Sequence, residues 1–350
     1  MSRLVIHVGD CKSGSTAIQS VLQAGSYQSE TPILYPDAGR RGALNHHRLS
    51  NALFMAQAKQ WQARAWGALA KEVTDSDQLA VISSERFEFA EPNVLRDVLR
   101  QHFDPLPDLH IIAYVRPHLE RCVSGYAQNV KQGIFESSMS AFIDKMASER
   151  RFHYAPRLAR WRSVFEDMRV DIRPMIRDQL TGGCVVQDFL TLITGAPATV
   201  NEIPMANSAP SAPALDLLRQ LWQAAGPERD GKTSPNAAAL TQFGRSLETS
   251  DPFGGEKLRL TGPEATIAQT HFAEDARACD VQIFGRPVLG PALAATVGAA
   301  PNTAEPTTAN PEAVAVATLW MQTTAQMLQA RATKPKGRSP NTAQWRGVQK

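Results

Sequence analysis

His7-Val8-Gly9-Asp10-Cys11-Lys12-Ser13-Gly14-Ser15-Thr16-Ala17-Ile18-Gln19 joins two elements that can be read from their spacing alone. Before it stands the apolar run Leu4-Val5-Ile6, which predicts a short buried strand. After it, Ile18, Val21 and Leu22 recur at helical spacing, with Ser15 or Thr16 near the helix start. A strand, a glycine-bearing turn and a helix N-terminus form an anion site. Backbone N–H groups converge there, and the helix dipole adds partial positive charge.

Gly9 and Gly14 fit the two glycines of the nucleotide loop G-x-x-x-x-G-K-[ST], but Ser15 stands where that motif needs lysine. The lysine is Lys12, inside the loop and before the second glycine. From there it reaches a different atom, nearer the bridge of a shorter anhydride.

The rest of the chain reads as an α/β protein. Leu79-Ala80-Val81-Ile82 and His110-Ile111-Ile112-Ala113-Tyr114-Val115 are two further buried strands, and helices are predicted near 61–73 and 92–102. The second strand runs into Ser83-Ser84-Glu85. The carboxyl ends of parallel strands are where open α/β sheets bind ligands, so Glu85 is a site candidate; its alternative is pairing with Arg86 or another surface cation. Asn45-His46-His47-Arg48-Leu49 opens another helical period. Adjacent residues on a helix face different ways, so at most one of the two histidines points into a site. Arg116-Pro117 closes the third strand, and Ser124 follows two turns into the next helix, so both can converge on one anion.

Composition narrows the classes. The 350 residues are 43% apolar with net charge +3. Residues 291–350 hold six Lys/Arg against two Glu and carry +4, leaving −1 on 1–290, a balance that does not suggest nucleic-acid binding. Cys11, Cys122, Cys184 and Cys279 show no metal spacing and read as reduced thiols of a cytoplasmic protein. No apolar run approaches the ~20 residues of a membrane span. Beyond Gly290 the chain turns Ala-, Pro- and Thr-rich, which predicts a largely disordered tail over 291–350 with one helix at 312–332. That helix allows peripheral membrane contact.

Lys12-Ser13-Gly14-Ser15-Thr16 at the end of the first strand resembles the 5′-phosphosulfate loop of the sulfotransferases that use PAPS (3′-phosphoadenosine 5′-phosphosulfate). Tyr114-Val115-Arg116-Pro117 with Ser124-Gly125-Tyr126 resembles their 3′-phosphate signature, with the same R-x7-S spacing. Trp161 with Val164-Phe165, Val170 to Pro174, Leu180 to Gly183, Asp188-Phe189-Leu190, Asn207-Ser208, and Phe272 to Asp275 with Ile283-Phe284-Gly285 are similar to bacterial carbohydrate-type members. Asp10 and Cys11 depart from the family's Met or Ile then Pro, and Ala276 stands where an Asn is expected.

The resemblance covers 1–290. It implies a P-loop-like, three-layer α/β/α domain with a central parallel sheet of about four or five strands. It implies transfer of a sulfuryl group from PAPS to a hydroxyl or amine of a saccharide or lipid-linked acceptor, leaving PAP, with no metal. Lys12 would hold the leaving oxygen, and Ser13, Gly14, Ser15, Thr16 and Ala17 the 5′-phosphate. Arg116 and Ser124 would hold the 3′-phosphate. The base would be His46 or His47, with Glu85 second. The rival readings are a P-loop kinase and a PAP-binding homologue without turnover.

Overall fold

The computed structural model describes residues 2–201, 210–225, 235–249, 251, 256–301 and 311–333. Among the described residues the strands are β1 (Arg3–Val8), β2 (Tyr27–Gln28), β3 (Ile33–Leu34), β4 (Leu79–Ser84), β5 (Asp108–Val115), β6 (Arg169–Pro174) and β7 (Thr199–Val200). The helices are α1 (Ser15–Ala24), α2 (His47–Phe54), α3 (Gln62–Thr74), α4 (Pro92–His102), α5 (His118–Lys131), α6 (Met139–Ser148) and α7 (Tyr154–Val164). They continue with α8 (Val185–Thr194), α9 (Ala212–Ala225), α10 (Pro235–Thr249), α11 (Gly262–Cys279), α12 (Leu289–Ala299) and α13 (Pro311–Thr333).

Five strands form one parallel sheet in the order β3-β4-β1-β5-β6, so the first strand lies at its centre. Ile6 pairs with Ile82 on one side and Ile111 on the other. Alternation along the strands divides the core. Leu4, Ile6, Val8, Ala80, Ile82 and Ile111 face a cluster with Trp66, Leu69, Leu95 and Leu99 of α3 and α4. Val5, Val81, Ile112 and Tyr114 face Ile18, Val21, Phe189 and Leu190 of α1 and α8. Both faces are covered, which is why these strands read as unbroken apolar runs. The result is a three-layer α/β/α arrangement around a parallel sheet.

This strand order places the site. The connection leaving β1 runs toward β3, and the one leaving β5 runs toward β6. Where adjacent strands send their connections to opposite sides, a crevice opens at their carboxyl ends. The residues after Val8, Ser84 and Val115 all stand at that edge.

The chain divides into two compact units. One comprises Met1–Asn129, Ser137–Ala209 and Lys257–Pro306; the other comprises Val130–Glu136, Pro210–Glu256 and Thr307–Lys350. The boundary expected at 290 is therefore not where the chain divides. Leu289–Ala299 is a helix with Leu289 and Leu293 buried, rather than the start of a linker. In the second unit Leu217, Leu218, Leu221, Trp222, Leu240 and Met321 form a core built from α9, α10 and α13. Its Gly133 has φ +63 and lies so near the Trp222 ring that a Cβ would come within 2.7 Å. The helix Pro311–Thr333 occupies the span read from sequence as 312–332, while Asn207-Ser208 and 334–350 lie outside the described residues.

Candidate functional site

The turn between β1 and α1 is built by close approach. At Gly9 a Cβ would lie 2.3 Å from Ser15 Oγ and 3.1 Å from the Glu85 Cα. At Gly14, φ +86, it would lie 2.8 Å from Val185 Cγ1. Gly14 accepts only glycine, and a side chain at Gly9 would displace the Ser15 hydroxyl and crowd Glu85. Ser13 Oγ donates to the Asp10 carbonyl at 2.5 Å and its N–H donates to the same oxygen, closing the loop. The Ala17 N–H is taken up by the Gly14 carbonyl at 3.0 Å. Among the described residues, the N–H groups of Gly14, Ser15 and Thr16 meet no acceptor in the chain, and Ser15 Oγ is buried without a partner. The helix start thus keeps the unfilled donors of an anion cradle. Lys12 sits at φ 70, a conformation uncommon for a side-chain-bearing residue, with Nζ 3.3 Å from Gln128 Oε1 of α5.

Arg116 ends β5. Its Nε is buried without a partner, and burial disfavours its charge, Glu120 offsetting this in part. Its Nη2 lies 3.7 Å from Met175 Sδ, and the Met175 methyl lies 3.3 Å from where a Gly14 Cβ would be. The guanidinium and the glycine turn therefore both lie near the end of one methionine side chain. Half-buried, with one N–H unmet, this cation would be favoured by an anion arriving beside it. Ser124 Oγ donates to the Arg121 carbonyl at 3.3 Å, three residues back along α5.

The two histidines differ. His46 is fully buried. Its Nδ1 accepts the Ser83 N–H at 3.1 Å and its Nε2 lies 3.0 Å from the Pro36 carbonyl. Burial pulls its pKa down to about 3. Both nitrogens are committed to backbone, so the expectation of His46 as base is corrected: it ties the Pro36 turn to β4. His47 is partly exposed, with Nε2 3.3 Å from Glu85 Oε1 and Nδ1 2.8 Å from Ser84 Oγ. Burial pushes the Glu85 carboxyl up, but the His47 hydrogen bond and charge, with Gln19 behind it, outweigh that and hold it at about 2. Arg86, the partner that sequence offered to Glu85, goes instead to Asn51.

Sequence reading missed a second cluster. Asp10 Oδ1 pairs with Arg157 at 2.8 Å, and Glu88 pairs with Arg151 at 3.1 Å and lies 3.6 Å from Arg121. The Cys11 N–H donates to Glu88 Oε2 at 2.8 Å. A proline at this place, as in the resembling family, has no N–H to give. Burial and the neighbouring Asp10 push the Glu88 carboxyl up to about 7, while the arginines hold Asp10 down against its burial. These partners lie far apart in sequence and carry no local pattern. Of the other motifs, Trp161 and Phe165 stack in the core. Asp188 accepts from Tyr114 Oη at 2.6 Å and binds Arg173, and Asp275 receives the N–H groups that open α7. These are packing roles.

Comparison with family models, with curated proteins and with solved structures finds no match to this chain.

Proposed function

We propose that the protein transfers a sulfuryl group from PAPS to a hydroxyl or amine of an acceptor, through a P-loop-like site at the carboxyl edge of its sheet. One observation carries this reading: the half-buried Arg116 guanidinium, whose Nε has no partner, and the Gly14 turn both lie against the Met175 side chain. Two anion-seeking features that close to each other suit a ligand charged at both ends. A Walker-type site needs no such arginine at this position.

The residues fit the donor. The free N–H groups of Gly14, Ser15 and Thr16 take the 5′-phosphate, and Arg116 takes the 3′-phosphate that separates PAPS from ATP. Bound PAPS supplies an activated sulfate, whose S–O bridge breaks as the acceptor oxygen bonds to sulfur. Lys12 stabilises the charge left on the bridging oxygen. His47 takes the acceptor proton at Nδ1, by way of the Ser84 hydroxyl that meets it, and Glu85, facing the Nε2–H, offsets the resulting imidazolium.

Full-length protein should be stabilised against heat by PAP more than by ATP with Mg²⁺, and should transfer labelled sulfate from PAPS. Lys12→Ala should lower turnover by roughly 10²–10³, and Arg116→Ala should weaken PAP but not adenosine 5′-monophosphate. Stabilisation by ATP with Mg²⁺ and none by PAP would establish the kinase reading instead.

A further inference from the structure

Lys12 takes φ 70, a left-handed backbone that disfavours any residue with a Cβ. Such a bend persists only where its surroundings force it, and bends of this kind gather at functional sites. We propose that Glu88 is the positioning residue that forces it: by holding the Cys11 N–H, Glu88 fixes the backbone that presents Lys12 to the donor. This deepens the sulfuryl-transfer reading above and rests on it.

The bend lies between two fixed points. After it, Gly14 is packed against Val185 and Met175. Before it, the peptide joining Asp10 to Cys11 is gripped from two directions. Asp10 Oδ1 pairs with Arg157 of α7 at 2.8 Å, and the Cys11 N–H donates to Glu88 Oε2 at 2.8 Å. The Asp10 carbonyl takes both the N–H and the hydroxyl of Ser13. Lys12 is the residue left to turn between these points, and its Nζ meets Gln128 Oε1 of α5.

Glu88 is itself held. Its side chain is 6% exposed, with Arg151 at 3.1 Å and Arg121 of α5 at 3.6 Å. The carboxyls of Glu88 and Asp10 and three arginines thus meet around one peptide. Buried ion pairs repay little beyond their desolvation, so what this arrangement supplies is fixed geometry. That geometry reaches the other half of the site. The short helix Glu85–Phe89 carries Glu88 to the loop and, three residues earlier, Glu85 to His47. One turn of chain therefore holds both the backbone beside the lysine and the carboxylate beside the proposed base.

The test compares melting temperatures of full-length protein with Lys or Gly at residue 12. Glycine takes φ 70 without strain, so Lys12→Gly should raise Tm in the wild type. In Glu88→Leu the bend is released, and the same substitution should lower Tm, because only the greater chain entropy that glycine loses on folding remains. Cys11→Pro removes the same hydrogen bond from the loop side and should also reverse the sign, which decides the matter if Glu88→Leu does not fold. Glu88→Gln keeps an oxygen for the Cys11 N–H and should keep the rise. Sulfate transfer is the second readout. Glu88→Leu should lower kcat by roughly ten-fold or more with PAP affinity held within about three-fold, and Glu88→Gln should keep kcat near the wild-type value. The same Tm shift in every background overturns the proposal. So does a Glu88→Leu protein that keeps full kcat, or one that loses PAP affinity as steeply as kcat. If the wild type neither binds PAP nor transfers sulfate, the sulfuryl reading falls, while the melting comparison still decides whether Glu88 sets the bend at Lys12.

Discussion

At the scale of single residues, two adjacent histidines receive opposite fates from their neighbours. His46 is closed off by one backbone N–H and one carbonyl, and His47 is held by a carboxylate and a hydroxyl at partial exposure. Substitution should separate them. His46→Gln should lower unfolding free energy by about 1–3 kcal/mol, the scale of an unmet buried polar group, with PAP binding unchanged. His47→Gln should leave denaturant unfolding nearly unchanged and reduce turnover by roughly 10²–10⁴. A stable, fully active His47 variant would remove the base from that position. No spacing rule separates the two, because which ring meets a backbone partner depends on how Pro36 and Ser83 come together from distant segments.

At the scale of elements, the sheet was legible and the clamp was not. Leu4 to Ile6, Leu79 to Ile82 and His110 to Val115 read directly as strands, because helices bury both faces of a parallel sheet and leave apolar runs. The loop was legible too, since Gly14 is demanded by a positive φ and by a contact that only a missing side chain allows. The Asp10–Arg157 pair joins residues 147 apart and has no periodicity to betray it. Cys11 stands where the resembling family has proline, and its N–H is fastened to Glu88. Cys11→Pro, which restores the residue common in the resembling family, should therefore destabilise by about 1–3 kcal/mol. Calorimetric melting of the purified variant checks this, and an unchanged or raised Tm would deny the clamp its role. Gly14→Ala, strained at φ +86 and driven against Val185, should both lower Tm and abolish PAP binding.

At the scale of the whole molecule, buried titratable groups set how stability follows pH. His7 and His46 are held neutral by burial, at about 4 and about 3, and Glu85 is held at about 2. All three lie below their unfolded values. The stability they carry is present above about pH 6.5 for the rings and 4.5 for Glu85, and is lost as pH falls through the folded values. Glu88 runs the other way. Its folded value of about 7 lies above the unfolded 4.5, so its contribution is complete below 4.5 and fades as pH rises to about 7. Glu88→Gln copies the protonated side chain. Its Tm should therefore gain on the wild type as pH climbs from 5 to 7.5, and parallel curves would exclude a neutral Glu88.

The second unit draws its core from α9, α10 and, much later along the chain, Met321 of α13. During synthesis Leu217, Leu218 and Leu221 leave the ribosome long before the helix that shelters them exists. For that interval the nascent chain displays a greasy stripe to the cell, which is what holdase chaperones grasp.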